Sequence, residues 1–92
     1  MKQDWAEALA LQALTYIVAE STLCGRFLDL TGMDPADVRA SVTDTAFLGA
    51  VLDFLLGHEP SLLEFCTAAD IDPQHPARAR VLLLGDAAPD WN

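Results

Sequence analysis

The chain has 92 residues, of which 52% are hydrophobic, and its 14 acidic and five basic side chains give a formal net charge of −9. This length fits one domain with one core, and the high apolar content argues against disorder. The negative charge repels phosphate backbones and anionic lipid headgroups, so we expect neither a nucleic-acid nor a membrane partner. A cationic protein partner and simple solubility both remain open as reasons for the charge.

The first half of the chain predicts three helices. Residues 4–19 are dense in Ala and Leu and contain no helix breaker, which favours one long helix. The turn and N-cap of a second helix are expected at residues 20–22, and Gly32 ends that helix. Asp34 followed by Pro35 is typical of a helix start and predicts a short third helix.

The second half begins with another apolar helix. Thr43 or Asp44 is its predicted N-cap, and Gly57 follows its last turn. Pro60 opens a fifth helix, because proline is well tolerated in the first turn.

The last helix is predicted to begin at Asp72 with Pro73 and to run to Leu84. Residues 86–92 are predicted to form a loosely ordered tail. Every long segment thus has helical character and none alternates like a strand, so the prediction for residues 1–92 is a single all-α domain, a compact bundle of five to six helices.

An internal repeat is suggested by aligning the chain with itself so that Asp34 falls on Asp72 and Phe27 on Phe65. The copies would be residues 5–42 and 43–80, each a helical hairpin followed by a capped helix. Neither half can bury its apolar faces alone, so the halves should pack together with the first and fourth helices at the centre. We expect leftover apolar surface to bind a second copy, as a homodimer, or a partner protein.

The compartment is predicted to be the cytoplasm, because Asp4 and Glu7 interrupt any secretory leader. The most apolar stretch, 46–56, is too short to span a bilayer. Cys24 and Cys66 lack metal-site or redox spacing and are predicted to be free and buried.

Catalytic chemistry has little support in the sequence. His58 and His75 are the only histidines, and neither lies in a recognisable motif; exposure is the expected state of both. Asp70, Asp72 and His75 could offer metal ligands, but Asp72 is already explained as a helix cap. We therefore predict no catalytic residue, no metal and no cofactor, and the chain lacks nucleotide-binding glycine motifs.

Four residues remain as candidate interaction residues. Asp53, His58 and Glu59 lie near one helix end and form the one plausible polar cluster for a ligand or substrate. Asp53 aligns with Thr15 in the proposed repeat, so the two lie either on a solvent-facing stripe or at a contact surface or shared polar site. Trp91, in the tail, is the fourth candidate.

The segments WAEALALQAL, GRFLDLTGMDPADVR, FLGAVLDFLLGHE and LLEFC with the following IDP resemble one family, domain of unknown function 3572, which comprises small alphaproteobacterial proteins. The resemblance extends from Trp5 to Val81, although Cys66, Gln74 and Pro76 are less typical of it. It implies a bacterial, cytoplasmic, all-helical protein, and it carries no activity, cofactor or catalytic residue over to this chain.

Together these features favour a non-enzymatic protein–protein interaction module or adaptor. A small ligand-binding domain or enzyme built around the polar cluster is the first alternative. An acidic mimic of nucleic acid is the second, and it would require acidic residues in a row on one face.

Overall fold

The computed structural model describes residues 2–84, apart from the side chain of Lys2, and builds them entirely from helices and short connections. The six helices are α1 (Lys2–Ala19), α2 (Ser21–Thr31), α3 (Pro35–Ala40), α4 (Thr45–Leu56), α5 (Glu59–Ala69) and α6 (His75–Leu84). The predicted all-α bundle is therefore confirmed. The predicted tail at residues 86–92, including Trp91, lies outside the described residues.

Side-chain caps fix the starts of α3 and α4. The Asp34 carboxylate accepts a hydrogen bond from the Asp37 backbone N–H (2.9 Å), and the Asp37 carboxylate accepts one from the Asp34 N–H (3.2 Å). This capping box satisfies donors that the helix itself leaves unpaired. At α4, Asp44 accepts a bond from the Ala46 N–H (2.9 Å). Gly32 ends α2 with a left-handed φ of 71°, as its sequence position predicts.

The predicted start of the last helix is wrong by about half a turn. Asp72 accepts a hydrogen bond from the Gln74 N–H at 2.9 Å, which closes a turn around Pro73. The first helical residue is His75, whose N–H donates to the Asp72 carbonyl oxygen (2.9 Å). The Asp side chain therefore caps a preceding turn and not the helix itself.

Three helices form the centre of the bundle. α6 packs extensively against both α4 and α1, and α1 also contacts α4. The prediction that α1 and α4 supply the core is correct, but α6 shares that position. The largest fully buried hydrophobic side chains come from α1, α2, α4 and α5, and they are Ile17, Phe27, Leu48, Val51, Leu52, Leu55 and Phe65. Burial of each contributes about 1.5–3 kcal/mol relative to exposure.

Two helix pairs bend at similar angles, 111° between α1 and α2 and 109° between α4 and α5. No single helix within residues 2–84 has the length and apolarity to span a membrane, and the two bent pairs meet that criterion only when their helices are taken together. The third helices differ: α3 has six residues, whereas α6 has ten and packs on both central helices. The internal repeat stays a prediction.

The two cysteines occupy different environments. Both are free, and Cys66 is buried as predicted, but Cys24 is only half-buried, so its predicted burial is wrong. The reason is that Cys24 lines a surface cavity beside α3. Burial raises the pKa of the Cys66 thiol, and the negative charge of Asp72 raises it further.

Candidate functional site

Asp53, the first candidate polar residue, forms an ion pair with α6. Its side chain on α4 is half-exposed, and its two carboxylate oxygens accept hydrogen bonds from Nε and Nη2 of Arg80, the latter at 3.3 Å. Arg80 itself is buried. This pair could not be predicted from the sequence, because the two residues are distant in the chain and meet only when α6 packs on α4. The carboxylate of Asp53 therefore stabilises a helix contact.

His58 and Glu59 lie at the start of α5. His58 is its N-cap residue, and the ring Nδ1 lies 2.7 Å from the hydroxyl oxygen of Ser61. His58 is half-buried and not fully exposed as expected, because this hydrogen bond holds its ring against the helix. Glu59 is exposed and is the first residue of α5, one position before the predicted start at Pro60.

A histidine next to a serine hydroxyl is also the arrangement of a base and a nucleophile. Here Ser61 is buried, with 6% of its surface exposed, and the bond spans one helical turn. In residues 2–84, no hydrogen bond or ion pair joins Asp53 to His58 or Glu59. Asp53 and His58 thus have separate partners, and the structure does not connect the three residues into one polar site.

Metal ligation has no support in the part of the chain that the structure describes. No group of three or more His, Cys, Asp or Glu side chains there is placed to hold a metal ion. His75 is exposed, as predicted, and its ring contacts the edge of the Trp5 ring at a centroid distance of 5.3 Å.

An apolar groove lies on the surface between the first three helices, and sequence reasoning missed it. It consists of two adjoining cavities of about 190 Å³ and 380 Å³, which share Val18, Val38 and Arg39. We call it the α1–α3 groove. Its lining residues are Leu14, Thr15, Val18, Ala19, Cys24, Phe27, Leu28, Pro35, Val38, Arg39 and Val42.

The groove exists because α3 is short. Ile17 is fully buried in the core, but the adjacent Val18 leaves 52% of its surface exposed. α3 ends at Ala40 after six residues and covers only part of this side of α1. Val38 from α3 is buried at the base of the groove, whereas Val42 beyond the helix end is only half-buried. The sequence predicted that α1 lies at the centre of the bundle, and this face of α1 is the part that other helices leave uncovered.

The charges beside the groove are mainly negative. Arg39 is the one charged residue among those that line it. Four exposed acidic residues and one exposed basic residue adjoin lining residues in the sequence: Glu20 follows Ala19, Asp29 follows Leu28, Asp34 precedes Pro35, Asp37 precedes Val38, and Arg26 precedes Phe27. The residues next to the lining residues in sequence are therefore more often acidic than basic.

Comparison with known proteins gives one match. A family model described as "Protein of unknown function (DUF3572)" matches residues 3–86. No curated protein and no solved structure matches the chain significantly.

Proposed function

Because the chain belongs to the DUF3572 family, whose description assigns no activity, we propose its function from its surface: it is a non-enzymatic, cytoplasmic protein–protein interaction module. The observation that supports this proposal is the α1–α3 groove. Concave, mostly apolar surface is the usual form of a binding site, and an exposed apolar patch is a candidate contact with another molecule. The groove offers such surface in a concave shape, with Val18 at its edge and Phe27 and Val38 beneath it.

Small-molecule sites combine an apolar lining with a few precisely placed polar groups. The lining of the groove instead suits the side chains of a protein. Apart from Arg39 and the hydroxyl of Thr15, its lining offers few polar side chains that could orient a substrate.

An enzymatic role has weaker support. The hydroxyl of Ser61 belongs to a buried residue and bonds the N-cap histidine of its own helix. The carboxylate of Asp53 is engaged by Arg80 and does not orient a base. The polar groups that a reaction would need are thus already engaged, Asp53 in a contact between two helices and Ser61 at the start of its own helix.

The proposal is tested by site-specific photo-crosslinking in the native cell. A benzophenone amino acid replaces Val18 in one variant and Val81 in the other. These residues are a matched pair, because both are valines on helices with 52% of their surface exposed. We expect a discrete adduct from position 18 and none from position 81.

The partner that is captured at position 18 is then identified and purified in its free form. Its affinity is measured for the wild type and for the variants Val18→Gln and Val81→Gln. Loss of one buried valine contact costs about tenfold in affinity, so V18Q should bind at least tenfold more weakly and V81Q within twofold of the wild type. Equal adducts from both positions, or equal affinities of both variants, would show that the groove is not the binding surface.

A further inference from the structure

We infer that the segment of the partner that occupies the α1–α3 groove is a cationic amphipathic helix. This inference rests on the proposed function and names the chemistry of the partner. It follows from the shape of the groove, from the kind of backbone that surrounds it and from the charge of the chain.

The shape favours a helix. Along α1, the lining residues Leu14, Thr15 and Val18 recur at the three- to four-residue spacing of one helix face. On the opposite side lie Val38 of α3 and Val42, which follows the end of that helix. The groove thus presents an apolar strip about one helical turn long, which matches side chains at positions i and i+3 or i+4 of a bound helix.

The described part of the chain lacks the features that the other common modes of peptide binding require. Strand addition needs an open sheet edge, and residues 2–84 contain no strand. Recognition of a polyproline helix needs a groove lined by several aromatic rings, whereas Phe27 is the one aromatic residue that lines this groove.

A helix of this chain shows how such packing works. α6 has ten residues and lies against α1 and α4, where Ala79 and Leu83 are buried and Arg80 pairs with Asp53. α3, with six residues, leaves the corresponding apolar surface of α1 open at Val18. A helix from another protein would cover this surface as α6 covers its own side of α1.

The charge favours a cationic helix over a second copy of the chain. Two copies would bring together net charges of −9 each, which repel at close range. Four exposed carboxylates adjoin the lining residues in sequence, against two cations, Arg39 in the lining and Arg26 next to Phe27. Lys and Arg on the flanks of an amphipathic helix would meet these carboxylates, and the encounter would be accelerated at low ionic strength.

The test uses two synthetic helical peptides with the same leucine positions. One has Lys at every polar position and the other has Glu. Binding to the full chain is measured by fluorescence anisotropy at low and at physiological salt. The protein variants are Val18→Gln, the matched control Val81→Gln, and Arg39→Gln, which removes the lining cation without touching the apolar surface.

The expected result has three parts. The Lys peptide binds the wild type and V81Q equally and binds V18Q at least about tenfold more weakly. It binds R39Q about two- to fivefold more tightly, because the repulsive charge in the groove lining is gone. The Glu peptide binds the wild type at least tenfold more weakly than the Lys peptide.

Several outcomes would overturn the inference. Tighter binding of the Glu peptide, or binding of neither peptide, would refute the cationic helix. Equal binding of the Lys peptide to V18Q and V81Q would show only nonspecific attraction to an acidic protein. A dimer that sediments as such and is lost in V18Q would identify a second copy as the occupant. A crosslinked partner at position 18 without a basic helix would leave the proposed function standing and refute this inference alone.

Discussion

Arg80 on α6 donates hydrogen bonds to Asp53 on α4, so that a guanidinium with 10% of its side chain exposed faces a carboxylate with 50% exposed. The pair joins two of the three helices that form the centre of the bundle. Removal of the Asp53 carboxylate leaves the buried Arg80 cation with less negative charge nearby to balance it, which costs free energy in a low-dielectric environment.

Asp53→Ala is therefore expected to lower the free energy of unfolding by about 1–3 kcal/mol, the usual range for a hydrogen bond to a charged group. Asp29→Ala, at an exposed acidic position on α2, is the control and should change it by less than about 0.5 kcal/mol. The double variant Asp53→Ala with Arg80→Met should recover part of the loss, because an apolar side chain replaces the buried charge. Urea denaturation followed by circular dichroism measures all three, and equal stability of D53A and D29A would contradict the role of the pair.

Substitution by alanine should have opposite effects on stability at two helical glycines, Gly25 and Gly49. At Gly25 in α2, a Cβ atom would meet no heavy atom within 4 Å. Gly25→Ala should therefore raise stability by about 0.5–1 kcal/mol through helix propensity. At Gly49 in α4, the Cβ would lie 2.5 Å from Cδ2 of Leu84, and the overpacking costs about 1–3 kcal/mol.

The cost of overpacking at Gly49 exceeds the gain in helix propensity. Gly49→Ala should therefore lower the free energy of unfolding by roughly 1 kcal/mol overall. Thermal melts of the two variants measured side by side provide the check. A stabilised G49A would show that α4 and α6 do not approach as closely as the structure places them.

The two thiols should react at different rates. Cys24 is half-buried beside the α1–α3 groove, whereas Cys66 is buried and its pKa is raised by that burial. Because the thiolate is the reactive form, Cys66 should react more slowly on both grounds. Labelling of Cys24→Ser and Cys66→Ser with an aromatic disulfide under native conditions separates the two. Equal rates would contradict the assigned burial.

Alkaline pH should destabilise the chain through Tyr16. Burial raises the pKa of Tyr16 from 10.0 to about 12, with further contributions from the hydrogen bond to the Glu64 carboxylate (3.0 Å) and from the negative charges of Glu64 and Glu20. The folded pKa is raised above the unfolded one, so this contribution is complete below pH 10 and is lost as the pH rises towards 12.

The unfolding free energy should therefore fall more steeply over this pH range in the wild type than in Tyr16→Phe. Tyr16 is the only tyrosine, so ultraviolet difference absorbance reports its titration directly. A midpoint at pH 10 in the folded chain would contradict the hydrogen bond to Glu64.

Local features of the fold could be predicted from the sequence, but tertiary ones could not. Asp34 and Gly32 act through hydrogen bonds to residues a few positions away. Their predicted roles, as the N-cap of α3 and the end of α2, are correct. Asp72 carries the same Asp-Pro pattern, yet its side chain closes a turn before α6, because the pattern fits both geometries. Local chemistry thus fixes the helices and leaves their ends uncertain by about half a turn.

The candidate site depends on distances that the sequence does not encode locally. Val18 belongs to an apolar helix, and only the length and position of α3 decide that it is exposed. The sequence does not indicate that Arg80 is buried, because its pairing with Asp53 requires α6 to lie against α4. The groove and the ion pair therefore depend on how the helices pack and could not be predicted from the sequence.

The most direct measurement of the central claim is an NMR titration of the valine methyl groups with the Lys peptide. Val18, Val38 and Val42 line the α1–α3 groove, and Val81 lies on α6 outside it with the same exposed fraction as Val18. We predict saturable shifts of the three groove valines and none for Val81. Shifts centred on Val81, or small shifts spread evenly over all valines, would contradict a binding module that acts through this groove.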